Sequence, residues 1–207
     1  MLHLSRSATL LDIGAGIGYF SIPISRETKS VIALDLEPKM FEVLSGRVES
    51  LGVSNIRLLR GDMLSLPLAD GSVDHVFAAF VYHEVASTSK LIHECFRVLR
   101  SRGRLTILDF QKKETGIGPP VSERKTPAQV LRAVSGKFRL LSRTDEDVYY
   151  VLNLAKLSLP KPSRYNREPG APVGIRTRVP SSTGSDDRPL HYRGALTAAH
   201  EMRPSER

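Results

Sequence analysis

The sequence predicts an α/β domain with a mostly parallel sheet between two layers of helices, and three observations carry that prediction. The apolar run Thr9-Leu10-Leu11-Asp12-Ile13 meets three glycines at alternate positions, after which Tyr19 to Ile24 resumes an apolar pattern that a helix can bury. Two further apolar runs end in the carboxylates Asp35 and Asp62, which a parallel sheet would bring to the same rim. The stretch Val76-Phe77-Ala78-Ala79-Phe80 is apolar throughout, as expected of a strand buried on both faces at the centre of such a sheet.

Gly14, Gly16 and Gly18 form the first turn. A chain passing under a ligand needs positive φ angles and no Cβ in the way, and glycine supplies both. The helix behind the turn aims its free N–H groups and positive dipole end at whatever lies above. A dinucleotide site would space its glycines Gly-x-Gly-x-x-Gly to seat a pyrophosphate. Here the spacing is Gly-x-Gly-x-Gly with the acidic Asp12 in front, which repels a pyrophosphate and suits a cationic ligand.

A first helix is predicted to about Glu27, then a strand from Ser30 to Asp35. Asp35 stands about twenty residues beyond the glycines, where a doubly wound fold places an acid for ribose hydroxyls. Asp35-Leu36-Glu37-Pro38 also reads as a helix start, with Pro38 in the first turn and Met40, Val43, Leu44, Val48 and Leu51 as its core stripe. Ile56 to Arg60 is the third strand, followed by Gly61-Asp62-Met63. After the fourth strand, Val81-Tyr82-His83-Glu84-Val85 falls on the same rim, and a neutral His83 near pH 7 could accept a proton from an attacking group. The alternative is that His83 and Glu84 only brace the loop and cap the next helix. A helix over Thr88–Leu99, a strand over Leu105–Phe110, a helix from Thr126-Pro127 to Val134 and a hairpin-like pair over 138–143 and 148–156 complete the domain.

Leu11-Asp12-Ile13-Gly14-Ala15-Gly16-Ile17-Gly18 resembles motif I of the class I S-adenosylmethionine-dependent methyltransferases. Leu66-Pro67-Leu68-Ala69-Asp70-Gly71-Ser72-Val73-Asp74 resembles that family's linker into strand 4. Arg97-Val98-Leu99-Arg100-Ser101-Arg102-Gly103-Arg104-Leu105 resembles its segment into strand 5, with Ser101-Arg102 in place of Pro-Gly and Gly103 supplying the flexible position. The resemblance, over roughly residues 8 to 156, implies a Rossmann-like three-layer sandwich whose seven-stranded sheet is mostly parallel with an antiparallel last strand. It implies a cofactor site in which Asp12 faces the amino-acid end, Gly14, Ala15, Gly16 and Gly18 shape the loop, Asp35 and Leu36 meet the ribose, Asp62 and Met63 meet the adenine, and Phe80 lies alongside. Tyr82 and His83 would border the transferred methyl group.

The chain is similar to the ubiquinone/menaquinone-type, small-molecule branch and lacks the Asn/Asp-Pro-Pro-Tyr signature of enzymes that methylate base amines. A small-molecule acceptor is therefore expected. A non-catalytic cofactor-binding protein and a nucleotide-dependent oxidoreductase stay open as alternatives, the latter disfavoured by the glycine spacing. Related enzymes carry N-terminal helices over the cofactor, and Met1 to Ala8 leaves no room for them. The fold is open on that side, or the true start lies upstream.

The 207 residues carry 30 Lys and Arg against 22 Asp and Glu, a net charge of +8. Residues 157–207 hold 9 of those cations, 5 of those acids and seven of 13 prolines, with no apolar periodicity. A domain over 1–156 and a disordered tail are expected, the tail resembling a translated transfer-RNA gene read past a stop codon. Were the tail genuine, it could serve an RNA methyltransferase as a basic arm, although nucleic acid is the less favoured partner because the charge is spread along the chain. Cys95 is the single cysteine, which excludes internal disulfides and leaves no recognisable metal site. No apolar run is long enough to span a bilayer and no secretory signal opens the chain, so a cytoplasmic location is expected. Oligomeric state is not encoded legibly.

Overall fold

The elements run β1 (Thr9–Ile13), α1 (Ser21–Ser25), β2 (Ser30–Asp35), α2 (Pro38–Ser50), β3 (Ile56–Arg60), β4 (Val73–Ala79), α3 (Thr88–Val98), β5 (Leu99–Phe110), α4 (Pro127–Val134), β6 (Phe138–Asp145) and β7 (Tyr149–Lys156). In this computed structural model residues 4–158 are described, and the expected tail lies, beyond Leu157 and Ser158, outside them. The sheet has seven strands in the order β3-β2-β1-β4-β5-β7-β6. Neighbours from β3 through β5 are parallel, and β7 pairs antiparallel with both β5 and β6. The direction of chain progression reverses between β1 and β4, which makes the carboxyl ends of these two strands the switch point of a doubly wound sheet.

Strand side chains alternate between faces, so each central strand feeds two cores. Leu11, Ile13, Leu34, Val76, Leu105 and Leu152 meet Leu91, Ile92, Cys95 and Val98 of α3 and Val130 and Val134 of α4. On the other face Leu10, Val31, Ala33 and Phe77 meet Ile22 and Ile24 of α1 and Leu44 of α2. Helix starts follow local chemistry. Thr126 and Gln129 form a reciprocal capping box with Pro127 in the first turn, and Ser87 accepts from the Lys90 N–H at the start of α3.

Three expectations are corrected. The first helix stops at Ser25, because the Ser25 and Thr28 hydroxyls take the Ile22 and Ile24 carbonyls that another turn would use. In α2 only Leu44 is fully buried, while Val43 and Leu51 are exposed, since the helix rests against the β2–β3 end of the sheet and meets it along a narrow stripe. The flexible position before Leu105 is Arg102, with φ 66°, and not Gly103. Gly103 is needed for room, since a Cβ there would stand 2.9 Å from the Arg100 carbonyl oxygen.

An arginine with left-handed backbone is strained. Arg102→Gly is expected to stabilise the fold by roughly 0.5–1 kcal/mol, the relieved strain less the extra entropy a glycine loses. An unchanged urea midpoint at constant denaturant slope would refute this.

Candidate active site

The carboxyl ends of β1 to β5 share one rim, where the glycine loop follows β1. Gly14, Gly16 and Gly18 all have positive φ, at 68°, 52° and 79°. A Cβ on Gly18 would overlap the Leu44 side chain, whereas a Cβ on Gly16 would meet nothing within 4 Å, so Gly18 packs the loop onto α2 and Gly16 leaves open space above it. The loop is braced from three sides. The Ala15 N–H donates to the Leu34 carbonyl at 2.9 Å, the Gly16 N–H to the Asp35 carboxylate at 2.8 Å, and Arg47 of α2 to the Ile17 carbonyl at 2.7 Å. Arg47 is a contributor that helical periodicity alone did not mark.

Asp12, at the end of β1, is 2% exposed and accepts a 2.5 Å hydrogen bond from the Ser21 hydroxyl. Among the described residues no cationic side chain pairs with it. Burial raises its pKa to about 7, the Ser21 bond opposes the rise, and the charge of Asp35 adds to it. Asp35 is buried at the tip of β2, and besides Gly16 it accepts from the Glu37 N–H at 3.0 Å. Asp35 thus braces both the glycine loop and the entry to α2, whose N-cap is Glu37. Leu36 is 46% exposed beside it. Across the rim Asp62 is exposed and accepts from the Leu64 N–H at 2.8 Å, with Met63 partly buried against the core.

After β4 the chain turns sharply. Phe80 has φ 56°, a left-handed conformation rare for a bulky residue, and its N–H donates to the Leu108 carbonyl at 2.8 Å. A 3-10 turn over Tyr82–Glu84 follows and sends the two expected catalytic side chains to different places. Tyr82, 1% exposed, packs into the core shared with α3 and α4, where burial pushes its pKa up to about 12.

His83 is held by a residue whose role the sequence did not reveal. Asp109, at the end of β5 and 1% exposed, accepts from the His83 backbone N–H at 2.9 Å and lies 2.7 Å from its Nδ1. The His83 Nε2 is 3.6 Å from the Glu84 carboxylate. Burial alone would lower the imidazole's pKa, but the two carboxylates outweigh it and raise the pKa to about 9. The imidazole is therefore charged at neutral pH, which corrects the expectation of a neutral base. Of the other reading of the turn, the bracing half is seen in the His83–Asp109 bonds, while the capping half is not, since Ser87 caps α3.

Around this pair stand aromatic rings. Phe80 and Phe110 have centroids 4.6 Å apart, Phe110 lies 5.7 Å from the His83 ring, and Phe20 packs edge-on to Phe77 at 5.3 Å. The remaining histidine of the sheet, His75, lies 2.9 Å from the Thr106 hydroxyl, and burial lowers its pKa to about 4, consistent with a structural role.

A glycine loop beside two buried acids thus stands at the switch point of a doubly wound sheet. Residues 11–107 match the family model described as the methyltransferase domain. The chain is 35% identical over 118 residues to the ubiquinone/menaquinone biosynthesis C-methyltransferase UbiE of Haemophilus ducreyi, covering 55% of this chain and 44% of that protein. It is 38% identical over 105 residues to the malonyl-[acyl-carrier protein] O-methyltransferase of Methylococcus capsulatus, covering 50% and 38%. The match thus spans less than half the length of these relatives. A solved S-adenosylmethionine-dependent methyltransferase of Aquifex aeolicus superposes with a TM-score of 0.68 at 25% identity, covering 74% of this chain and 84% of that one. Residues 11–107 are thus similar to the methyltransferase domain, and the fold is that of the solved S-adenosylmethionine-dependent methyltransferase. Among the described residues no helix is long and apolar enough to cross a membrane.

Proposed function

We propose that the protein transfers a methyl group from S-adenosylmethionine to a small-molecule acceptor of acidic character, a phenol, an enol or a carbon acid. The observation that carries the cofactor half is Asp12, a buried carboxylate with no cationic side chain paired to it among the described residues, beside an open glycine loop. A buried charge of that kind is costly until a cation meets it, and the ammonium group of the cofactor supplies one. Asp12 would hold the amino-acid end, and Gly14, Ala15, Gly16 and Gly18 would let the backbone approach. Asp35 and Leu36 would take the ribose, Asp62 and Met63 the adenine, and Phe80 would lie beside them. When bound, the cofactor supplies a methyl group already activated on a sulfonium, so the chain's own work is positioning.

The acceptor half rests on His83. A charged imidazole is a poor proton acceptor at neutral pH, yet it can donate a hydrogen bond from Nε2 and favour the anionic form of an acidic acceptor. The names of the relatives speak of C- and O-methyl transfer, which suits carbon acids and hydroxyl groups.

Thermal unfolding with S-adenosylmethionine, with its demethylated product and with NAD tests the cofactor. A ligand at about 100 times its Kd adds roughly 2.7 kcal/mol to the folded state. Stabilisation by the first two is expected, and stabilisation by NAD alone would replace this reading with an oxidoreductase. Radiolabelled methyl transfer to phenols and enols, with simple amines as the contrasting panel, tests the acceptor. Turnover confined to the amines would sink the acidic-acceptor assignment.

A further inference from the structure

The segment after β5, residues 111–124, is built around one buried side chain. Arg124 is 3% exposed and has no carboxylate partner among the described residues. Its guanidinium donates instead into the segment that leads up to it. Nε reaches the Pro119 carbonyl at 2.8 Å, and one terminal nitrogen reaches the Gln111 and Lys113 carbonyls and the Thr115 hydroxyl at 3.1, 2.7 and 2.9 Å. The other reaches the Ile117 carbonyl at 2.8 Å. A planar fork with five N–H donors is suited to gather carbonyls in this way, and an ammonium is not.

The same guanidinium lies 5.3 Å from the centre of the Phe110 ring. The segment also presses on that ring directly. Gly118 has φ 90°, and a Cβ on it would stand 2.7 Å from the Phe110 ring edge. Phe110 is fully buried and touches the rings of Phe80 and His83, so whatever holds Phe110 holds the acceptor side of the rim.

We infer that Arg124 is a positioning residue for methyl transfer: it folds residues 111–124 into a fixed wall and, through Phe110, sets the orientation of the His83 imidazole toward the acceptor. This rests on the reading of His83 as the acceptor-side group and adds the element that aims it. Arg124 makes no hydrogen bond to the glycine loop, Asp12 or Asp35, so of the cofactor half only Phe80, which packs on Phe110, is linked to it.

The test uses the full chain as wild type, Arg124→Met, Arg124→Lys and Gly118→Ala. The last variant disturbs the wall against Phe110 with Arg124 intact and guards against a failure to fold. Three readouts are taken: amide hydrogen exchange over 111–119, His83 ring resonances and their titration by NMR, and the Kd of S-adenosylhomocysteine.

Both arginine variants are expected to speed exchange of those amides by about 100-fold. Lysine should not rescue, because it cannot gather the carbonyls. All three variants should shift the His83 resonances while the Kd stays within about twofold of wild type. With an accepted acceptor, its KM should rise by about tenfold or more while the KM for S-adenosylmethionine holds.

Faster exchange with unmoved His83 resonances would make Arg124 merely structural and overturn the inference. Wild-type exchange in Arg124→Met, or a parallel loss of S-adenosylhomocysteine affinity, would overturn it as well. If wild type itself fails to bind S-adenosylhomocysteine, the cofactor reading falls, while the exchange and NMR readouts still decide the role of Arg124.

Discussion

Asp12→Asn is expected to stabilise the ligand-free protein above pH 7 and to weaken S-adenosylmethionine binding by about 10- to 100-fold, the loss of one charge-assisted hydrogen bond. The stability part follows from linkage. Asp12 has a pKa of about 7 in the fold against an ordinary 3.8, so the fold binds its proton more tightly than the unfolded chain does. Its contribution is fully present below 3.8 and is lost as pH rises to about 7. At 1.36 kcal/mol per unit, the ionised side chain costs wild type on the order of 2–4 kcal/mol at pH 8, and asparagine avoids that cost while still accepting the Ser21 hydroxyl.

The binding part has the opposite sign. A cationic ligand favours the ionised carboxylate, so wild-type Kd should fall about tenfold per pH unit up to about pH 7 and then level off. Binding at pH 6 should release close to one proton. Calorimetry in two buffers of different ionisation enthalpy measures that release directly. A pH-independent Kd in wild type, or one equally pH-dependent in Asp12→Asn, would exclude Asp12 as the cation's partner.

Asp109→Ala should be the most damaging single change on the acceptor side. It removes one half of a buried pair and leaves both the His83 and the Phe110 backbone N–H without the acceptor they now share, at a cost of roughly 3–5 kcal/mol. His83 has its pKa raised from 6.5 to about 9, so the pair's stabilisation is fully present below pH 6.5 and is lost as pH rises through 9. Wild type and variant should therefore differ most near pH 6 and less near pH 9.5. The milder Asp109→Asn keeps the shape, drops the His83 pKa, and is expected to slow methyl transfer by about 100-fold at neutral pH. Denaturation at the two pH values and NMR titration of His83 check these outcomes. A His83 pKa that stays near 9 in Asp109→Asn would show that Glu84 alone holds the proton.

The glycine loop and the acids beside it were legible in the sequence because their chemistry is local. Three glycines that need positive φ, and acids that end apolar strands, are each recognisable within a few residues of one another. The acceptor half is assembled from a distance. Asp109 lies 26 residues beyond His83 and meets it only because the register pairs Ala79 with Leu108, which brings the exits of β4 and β5 side by side. The rule that singled out Asp35, a carboxylate closing an apolar strand on the ligand rim, also describes Asp109 and could have found it. No comparable signal marked Arg124, which reads as one more charge in a polar loop. A single 3-10 turn carries the adjacent side chains Tyr82 and His83, both buried, toward different neighbours. Arg102 shows that a left-handed position inside a strand can be filled by a residue that disfavours it.

The reversal of strand order has a consequence for how such a protein can change. Phe80 aside, everything that would grip the cofactor comes from residues before β4, and everything that would meet the acceptor comes from β4 onward. The two stretches are contiguous in the chain and joined in the sheet along one seam, Leu10–Ile13 against His75–Ala78. A recombination event falling in the segment between β3 and β4 would carry an entire acceptor specificity onto an unaltered cofactor grip, so the catalogue of molecules such a scaffold modifies can be rewritten by exchange of one half-gene.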